Sequence, residues 1–198
     1  NVMAGYYKNE KATAETIKDG WLYTGDMGYM DDDGFLYVVG RFKSLLISSD
    51  GEKYSPEGIE ESLADNSKLI EQVVLYNDQK PYTSALIVPN QEALKQVVAK
   101  EGLDWNTVEG KTFALNLLQK EVDAYKSGGK FEGSFPERWL PAAIAVVGEP
   151  FTEKNGLVNS TMKIVRGKVE KKYEDRIQKL YEAGAREIVN DDNLAALS

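Results

Sequence analysis

Four short stretches carry residues that could do chemistry, in part on a phosphorylated substrate. Asp26 closes Tyr23-Thr24-Gly25-Asp26, and a carboxylate fixed on a turn can accept two hydrogen bonds from a vicinal diol such as a ribose. Arg41, in Gly40-Arg41-Phe42-Lys43, is suited to the same sugar or to a phosphate, and Lys43 stands where the composition changes. Gly51 sits in Ser48-Ser49-Asp50-Gly51-Glu52-Lys53-Tyr54-Ser55-Pro56. Lys163 ends a loop rich in Gly, Asn, Ser and Thr, just ahead of a basic stretch with Arg166, Lys168, Lys171 and Lys172. A compact ammonium delivered into a closed site could clamp a carboxylate against a phosphate. Taken singly, each stretch also has a plain structural explanation: turn chemistry, a solvated basic pair, a hairpin feeding a capped helix, a solvated lysine. Ser127-Gly128-Gly129-Lys130 is a decoy, because it lacks the spacing of a phosphate-binding loop and no strand feeds it.

Composition limits the chemistry further. The 198 residues contain no Cys and no His, which removes disulfides, thiol nucleophiles, thiolate metal sites, the commonest general base and the commonest zinc ligand. Catalysis would have to use carboxylates, Lys, Arg, hydroxyls and backbone groups, and no metal ligand set is expected. A net charge of −8 argues against a nucleic-acid surface but leaves room for a local cationic site. With 42% apolar and 28% charged residues the chain reads as an ordinary globular protein. No apolar run reaches the roughly 18–20 residues of a membrane span, and Lys8 to Lys18 does not read as a signal peptide. The sequence opens on Asn1 rather than Met, so a longer parent is expected.

The elements that would position these residues fall into two blocks. In residues 1–40, Asn9 caps a short helix ending near Asp19-Gly20. Strands at Trp21–Thr24, Met27–Met30 and Phe35–Val39 follow, the last two joined by Asp31-Asp32-Asp33-Gly34. This block is too small to close a core alone and reads as the tail of a larger domain. In residues 41–198, Leu45–Ser48 and Glu52–Tyr54 flank Asp50-Gly51 as a hairpin. Ser55-Pro56 then opens a helix, with Ser55 as cap and Pro56 in its first position. Core strands are expected at Gln72–Tyr76 and Thr83–Val88, with Asn77–Pro81 as the turn, and a third strand at Ala142–Val147. Helices are expected at Gln91–Lys100, Thr107–Lys126 and Arg166–Glu182; Ser127–Ser134 reads as a Gly-rich loop, with Ser127–Lys130 in it a mobile linker. Interleaved strands and helices around a small sheet make the class α+β.

The order and spacing of the stretches carry more than any one of them. Gly20 to Lys43, GWLYTGDMGYMDDDGFLYVVGRFK, resembles the signature of the adenylate-forming superfamily of acyl-CoA synthetases, luciferase and peptide-synthetase adenylation domains. Asn1 to Thr13 is similar to the segment preceding that signature in acyl-CoA ligases. GEKYSPEGIE and NGLVNSTMK most resemble the long-chain fatty acyl-CoA synthetase branch. The resemblance covers the chain except for a helical insert around Asn106 to Gly133. Asn159-Ser160 stands where that branch usually carries Thr-Pro, and Tyr23 where His or Arg is usual.

By this resemblance the fold is a small C-terminal lid domain with a short mixed sheet packed by helices, preceded by a β-hairpin remnant of the large N-terminal domain. Asp26 would hold the ATP ribose with help from Arg41. Lys43 would be the hinge, Gly51 would line the CoA pantetheine passage, and Lys163 would bridge carboxylate and α-phosphate. The resemblance implies ATP, Mg2+ and CoA as cofactors of the full-length enzyme, none held tightly by this part alone. It implies a fatty acid substrate, the N-terminal domain as partner, and a cytoplasmic location with peripheral membrane contact left open. The main ATP and acyl sites would precede Asn1, so this part alone is expected to be inactive. Two other readings stay open: an adenylating enzyme that does not use CoA, such as a fatty acyl-AMP ligase or peptide-synthetase domain, and a non-catalytic α+β binding module.

Overall fold

The structure, a computed structural model, describes residues 2–198. The chain divides into two compact units, Asn1–Leu45 and Leu46–Ser198.

In the first unit, helix α1 (Glu10–Thr16) starts where the Asn9 side chain accepts the Ala12 N–H at 3.0 Å. Asp19 and Gly20, both at positive φ, turn the chain between the antiparallel strands β1 (Ile17–Lys18) and β2 (Trp21–Leu22). Strands β3 (Asp26–Met30) and β4 (Leu36–Arg41) form the second hairpin. Its turn is built by the Asp31 carboxylate, which accepts the N–H groups of Asp33 at 3.1 Å and Phe35 at 2.8 Å, with Gly34 at φ +86°. These bonds hold the Asp31 carboxyl below its ordinary pKa, the Phe35 N–H contributing most. The stacked rings of Tyr29 and Tyr37 cross the hairpin at 4.9 Å. Gly40 is the one buried residue of this unit among those described; Met30, Phe35, Leu36, Tyr37 and Val38 are exposed. Such a hairpin has no core of its own.

The second unit begins with β5 (Leu46–Ser48) and β6 (Lys53–Tyr54), an antiparallel pair around Gly51 at φ +83°. Helix α2 (Glu57–Asp65) follows, then β7 (Ile70–Tyr76), β8 (Asp78–Lys80), β9 (Ser84–Pro89), α3 (Gln91–Lys100), α4 (Val108–Asp123) and β10 (Ala143–Val146). Helices α5 (Arg166–Lys172), α6 (Glu174–Lys179) and α7 (Asp191–Ala196) complete it. The main sheet runs β10-β9-β7, with β9 parallel to β10 and antiparallel to β7.

Every residue of β9 is buried, because both faces of the sheet are covered. Alternate residues point to opposite faces. Val73, Leu75, Ala85, Ile87, Ile144 and Val146 face a cluster with Ile59, Leu63, Leu94, Leu115 and Leu118 of α2, α3 and α4. Val74, Leu86, Val88, Ala143 and Ala145 face Phe151, Leu157, Val169 and Ile177. The class is α+β, as expected, and no helix among the described residues is long and apolar enough to cross a membrane.

Four local expectations are corrected, and one helix is added. Pro56, not Ser55, is the residue preceding α2: its carbonyl accepts the N–H groups of Ile59 and Glu60, while the buried Ser55 hydroxyl caps nothing. Asn77–Pro81 is not a bare turn, since β8 lies within it and pairs in parallel with β5. The loop at Ser127–Ser134 folds back, with the Phe131 N–H bonded to the Ala124 carbonyl at 2.7 Å and its ring stacked on Tyr125. The terminal helix is broken at Tyr173 into α5 and α6. Helix α7 was not anticipated; the buried Asn193 side chain accepts the Val146 N–H at 2.8 Å and donates to the carbonyls of Ile144 and Ile188 at 3.0 and 2.8 Å.

Candidate functional site

Asp26 and Arg41 are brought together. They are register partners at the open end of the β3–β4 hairpin, with the Arg41 Nε 3.4 Å from the Asp26 Oδ1 and both side chains exposed. The Asp26 N–H donates to the Thr24 hydroxyl at 3.1 Å, and the Phe42 N–H donates to the Gly25 carbonyl at 2.9 Å. A strand pair therefore fixes where both side chains start, and their charged heads face solvent where a polyhydroxylated or phosphorylated group can reach them. Lys43 lies in a short 3-10 turn, Phe42–Ser44, directly before the division between the units.

Gly51 and Lys163 belong to the second unit. Gly51 occupies the β5–β6 turn, its N–H bonded to the Ser48 carbonyl at 2.9 Å. A Cβ there would meet no atom within 4 Å, so glycine is demanded by backbone conformation and leaves the tip without side-chain bulk. Asp50 accepts the Ser48 hydroxyl and, at 3.1 Å, the Glu52 N–H; these bonds, the hydroxyl first, hold its carboxyl below the ordinary value.

Lys163 is not on a floppy loop. Val158 and Ile164 form an antiparallel bridge, the Val165 N–H bonds the Leu157 carbonyl at 2.7 Å, and the Asn159 N–H bonds the Lys163 carbonyl at 2.9 Å. Within this small hairpin the Asn159 Oδ1 accepts the N–H groups of Thr161 at 3.0 Å and Lys163 at 2.9 Å. The departure from Thr-Pro at 159–160 is thus a working part of the turn: a side-chain amide organises what a proline would constrain. The Lys163 side chain is exposed at the hairpin's end.

Two ion-paired anchors were missed in the sequence. Arg166, three residues beyond Lys163, donates from Nη1 to the Leu75 carbonyl and from Nη2 to both Glu60 oxygens, each at 2.7 Å. Glu60 also accepts the Leu75 N–H at 2.6 Å. Burial pushes the Glu60 carboxyl up, opposed by the Arg166 charge. The second anchor is the two-point pair of Arg138 with Glu52, next to Gly51; the Arg138 bond holds the Glu52 carboxyl down. The only trace either leaves in the sequence is a charged residue beside an apolar stripe or a turn. Among the described residues, no group of three or more carboxylates could hold a metal ion. A magnesium ion entering with a nucleotide needs few protein ligands, since it keeps waters and takes phosphate oxygens.

Residues 43–111 match the AMP-binding enzyme C-terminal domain family. The chain is 34% identical to fatty acyl-CoA synthetase B of Dictyostelium discoideum, over 91% of this chain and 27% of that protein. It is also 34% identical to the long-chain-fatty-acid–CoA ligase FadD15 of Mycobacterium tuberculosis, over 91% of this chain and 30% of that one. The chain therefore spans roughly a quarter to a third of the length of these curated relatives. Among solved structures, the A domain of carboxylic acid reductase from Segniliparus rugosus, in complex with AMP and a co-purified carboxylic acid, is 28% identical. It superimposes with a TM-score of 0.69 over 91% of this chain and 26% of that one.

Proposed function

We propose that the chain is the C-terminal part of an ATP-dependent long-chain fatty acid–CoA ligase that works through an acyl-adenylate. Residues 1–40 would be the end of the N-terminal adenylation domain, and 41–198 the mobile domain that closes on it. One observation carries the reading: within a chain similar along nine-tenths of its length to fatty acyl-CoA synthetases, the residue types this chemistry needs stand at built positions. Asp26 is set against Arg41 at a strand end, and Lys163 terminates an Asn159-organised hairpin.

In the first half-reaction a carboxylate oxygen attacks the α-phosphorus of ATP, the bond to the bridging oxygen breaks, and pyrophosphate leaves. Asp26 accepts the ribose hydroxyls and Arg41 supports the same sugar. Lys163 places its ammonium between carboxylate and α-phosphate, offsetting their repulsion and the charge that develops. Magnesium supplies charge neutralisation on the phosphates. Positioning and charge suffice, so the lack of His does not handicap the step. In the second, the CoA thiol gives up its proton, sulfur bonds to the acyl carbon, and the carbon–oxygen bond to AMP breaks. Gly51 lines the thiol's approach, and rotation about Lys43 exchanges one arrangement for the other.

The test is Lys163→Ala in the full-length parent, with the half-reactions assayed apart. Acyl-adenylate formation should fall by about 10²–10³-fold, the scale of losing a preorganised charge, while CoA capture of preformed acyl-adenylate survives. Equal loss of both would make Lys163 structural. The likeness to a carboxylic acid reductase A domain supports a second reading, in which the acyl group goes to an acceptor other than CoA. Thioester formation with free CoA separates the two.

A further inference from the structure

The β5–β6 hairpin is too short to aim its own tip. Its ladder holds two residue pairs, Leu46 with Tyr54 and Ile47 with Lys53, and so small a hairpin is marginal by itself. Neighbours hold it instead. Glu52 immediately precedes β6, and Tyr54 ends it. Both are met by consecutive residues of the 3-10 turn Glu137–Trp139. The Arg138 guanidinium grips the Glu52 carboxylate through Nε and Nη2. The Trp139 ring lies flat on the Tyr54 ring, with centroids 5.1 Å apart and planes within 5°. Tyr54 is itself immobile: it is buried, and its hydroxyl bonds Thr83 and, at 3.2 Å, the Asn77 amide.

Gly51 precedes Glu52, so the pair at Glu52 sets the direction of the turn that carries Gly51. A single bidentate fork and a stacked ring fix orientation as well as distance, which an isolated lysine in place of Arg138 would not.

We propose that Arg138 and Trp139 are positioning residues for the thioester-forming half-reaction: by holding Glu52 and Tyr54 they fix how Gly51 faces the incoming thiol. This rests on the functional reading above, which gives Gly51 that place. Asp26, Arg41 and Lys163 stand on other elements, so the clamp acts on one half-reaction and spares the other.

The experiment is single-turnover kinetics on the full-length enzyme with Arg138→Gln, Glu52→Gln and the double variant. Transfer of preformed acyl-adenylate to CoA should slow by about tenfold, since small misplacements of a reacting group carry large kinetic costs. Adenylate formation should stay within about twofold. The double variant should be no slower than either single one, because each already breaks the same contact. Arg138→Lys should recover part of the rate. Equal slowing of both half-reactions, or unchanged transfer, overturns the proposal. The Arg138 side chain is two-thirds exposed, so its variants keep a folded core even where Trp139→Ala does not. Failure of the functional reading looks different: the unsubstituted enzyme would then form no acyl-adenylate or no CoA thioester. If it loads a carrier-protein thiol instead, the same variants are assayed on that acceptor, and loss of transfer there again supports the clamp.

Discussion

Replacing Arg166 by Met should be among the most damaging single changes in the second unit. The side chain makes three 2.7 Å contacts: one to the Leu75 carbonyl and two to the Glu60 carboxylate. Both partners are mostly buried, with side-chain exposures of 19% for Arg166 and 14% for Glu60. Met keeps the apolar stem and removes the guanidinium, so Glu60 is left as an uncompensated buried charge bonded only through the Leu75 N–H. Breaking such a pair from one side costs about 3–5 kcal/mol; partial exposure puts the expectation near ~3 kcal/mol. The pH dependence has a definite sign. Burial already pushes the Glu60 carboxyl up, and losing the Arg166 charge pushes it higher. A group whose folded-state pKa is raised stabilises fully below its unfolded value and loses that contribution as pH rises through the folded one. The Arg166→Met deficit is therefore smallest in acid and grows with pH through the raised Glu60 value. Urea unfolding of the 198-residue chain at several pH values measures this, with Glu60→Gln and the double variant closing the cycle. The double variant should recover about 1–2 kcal/mol relative to Arg166→Met, since it removes the stranded charge. A deficit below about 1 kcal/mol, or two single effects that simply add, would refute the reasoning.

Two further predictions concern the edge of the main sheet and its neighbours. Asn193→Ala orphans the Val146 N–H and the carbonyls of Ile144 and Ile188, and should lower stability by about 3 kcal/mol, at about 1–3 kcal/mol per unmet buried group; faster amide exchange at Val146 would localise the loss. Asp192 is held below its ordinary value of 3.8, first by the Lys179 bond and then by the Arg176 charge. A depressed carboxylate stabilises above its unfolded value and loses that as pH falls through the folded one. The stability gap between the parent and Asp192→Asn should thus be constant near neutrality and close as pH falls below about 3.8; a gap that widens in acid would show the pair contributes nothing.

What the sequence made legible was local. Asp31 and Gly34, Asp50 and Gly51, and the Asn9 cap act within a few residues of themselves, so their side chains name their own conformation. The apolar runs of β7 and β9 were equally readable, because burial on two faces leaves a continuous apolar stretch. The break at Tyr173 was not readable: Val169, Tyr173, Ile177 and Leu180 keep a helical period straight through it. Nor was β8, three polar residues whose strand character comes from parallel pairing with β5 rather than from their own propensity. The anchors failed for a deeper reason. Glu60 and Arg166 lie 106 residues apart, and Glu52 and Arg138 lie 86 apart, so no local pattern links them. Yet they join the readable parts. The hairpin bearing Lys163 runs directly into Arg166, and the turn bearing Gly51 runs directly into Glu52. Gly51 and Lys163 are thus each followed within three positions by a residue that ties them to a distant element. Under the proposed function, a mobile domain presenting two different faces in turn would need such ties, because each face must arrive already ordered if rotation alone is to exchange the two half-reactions.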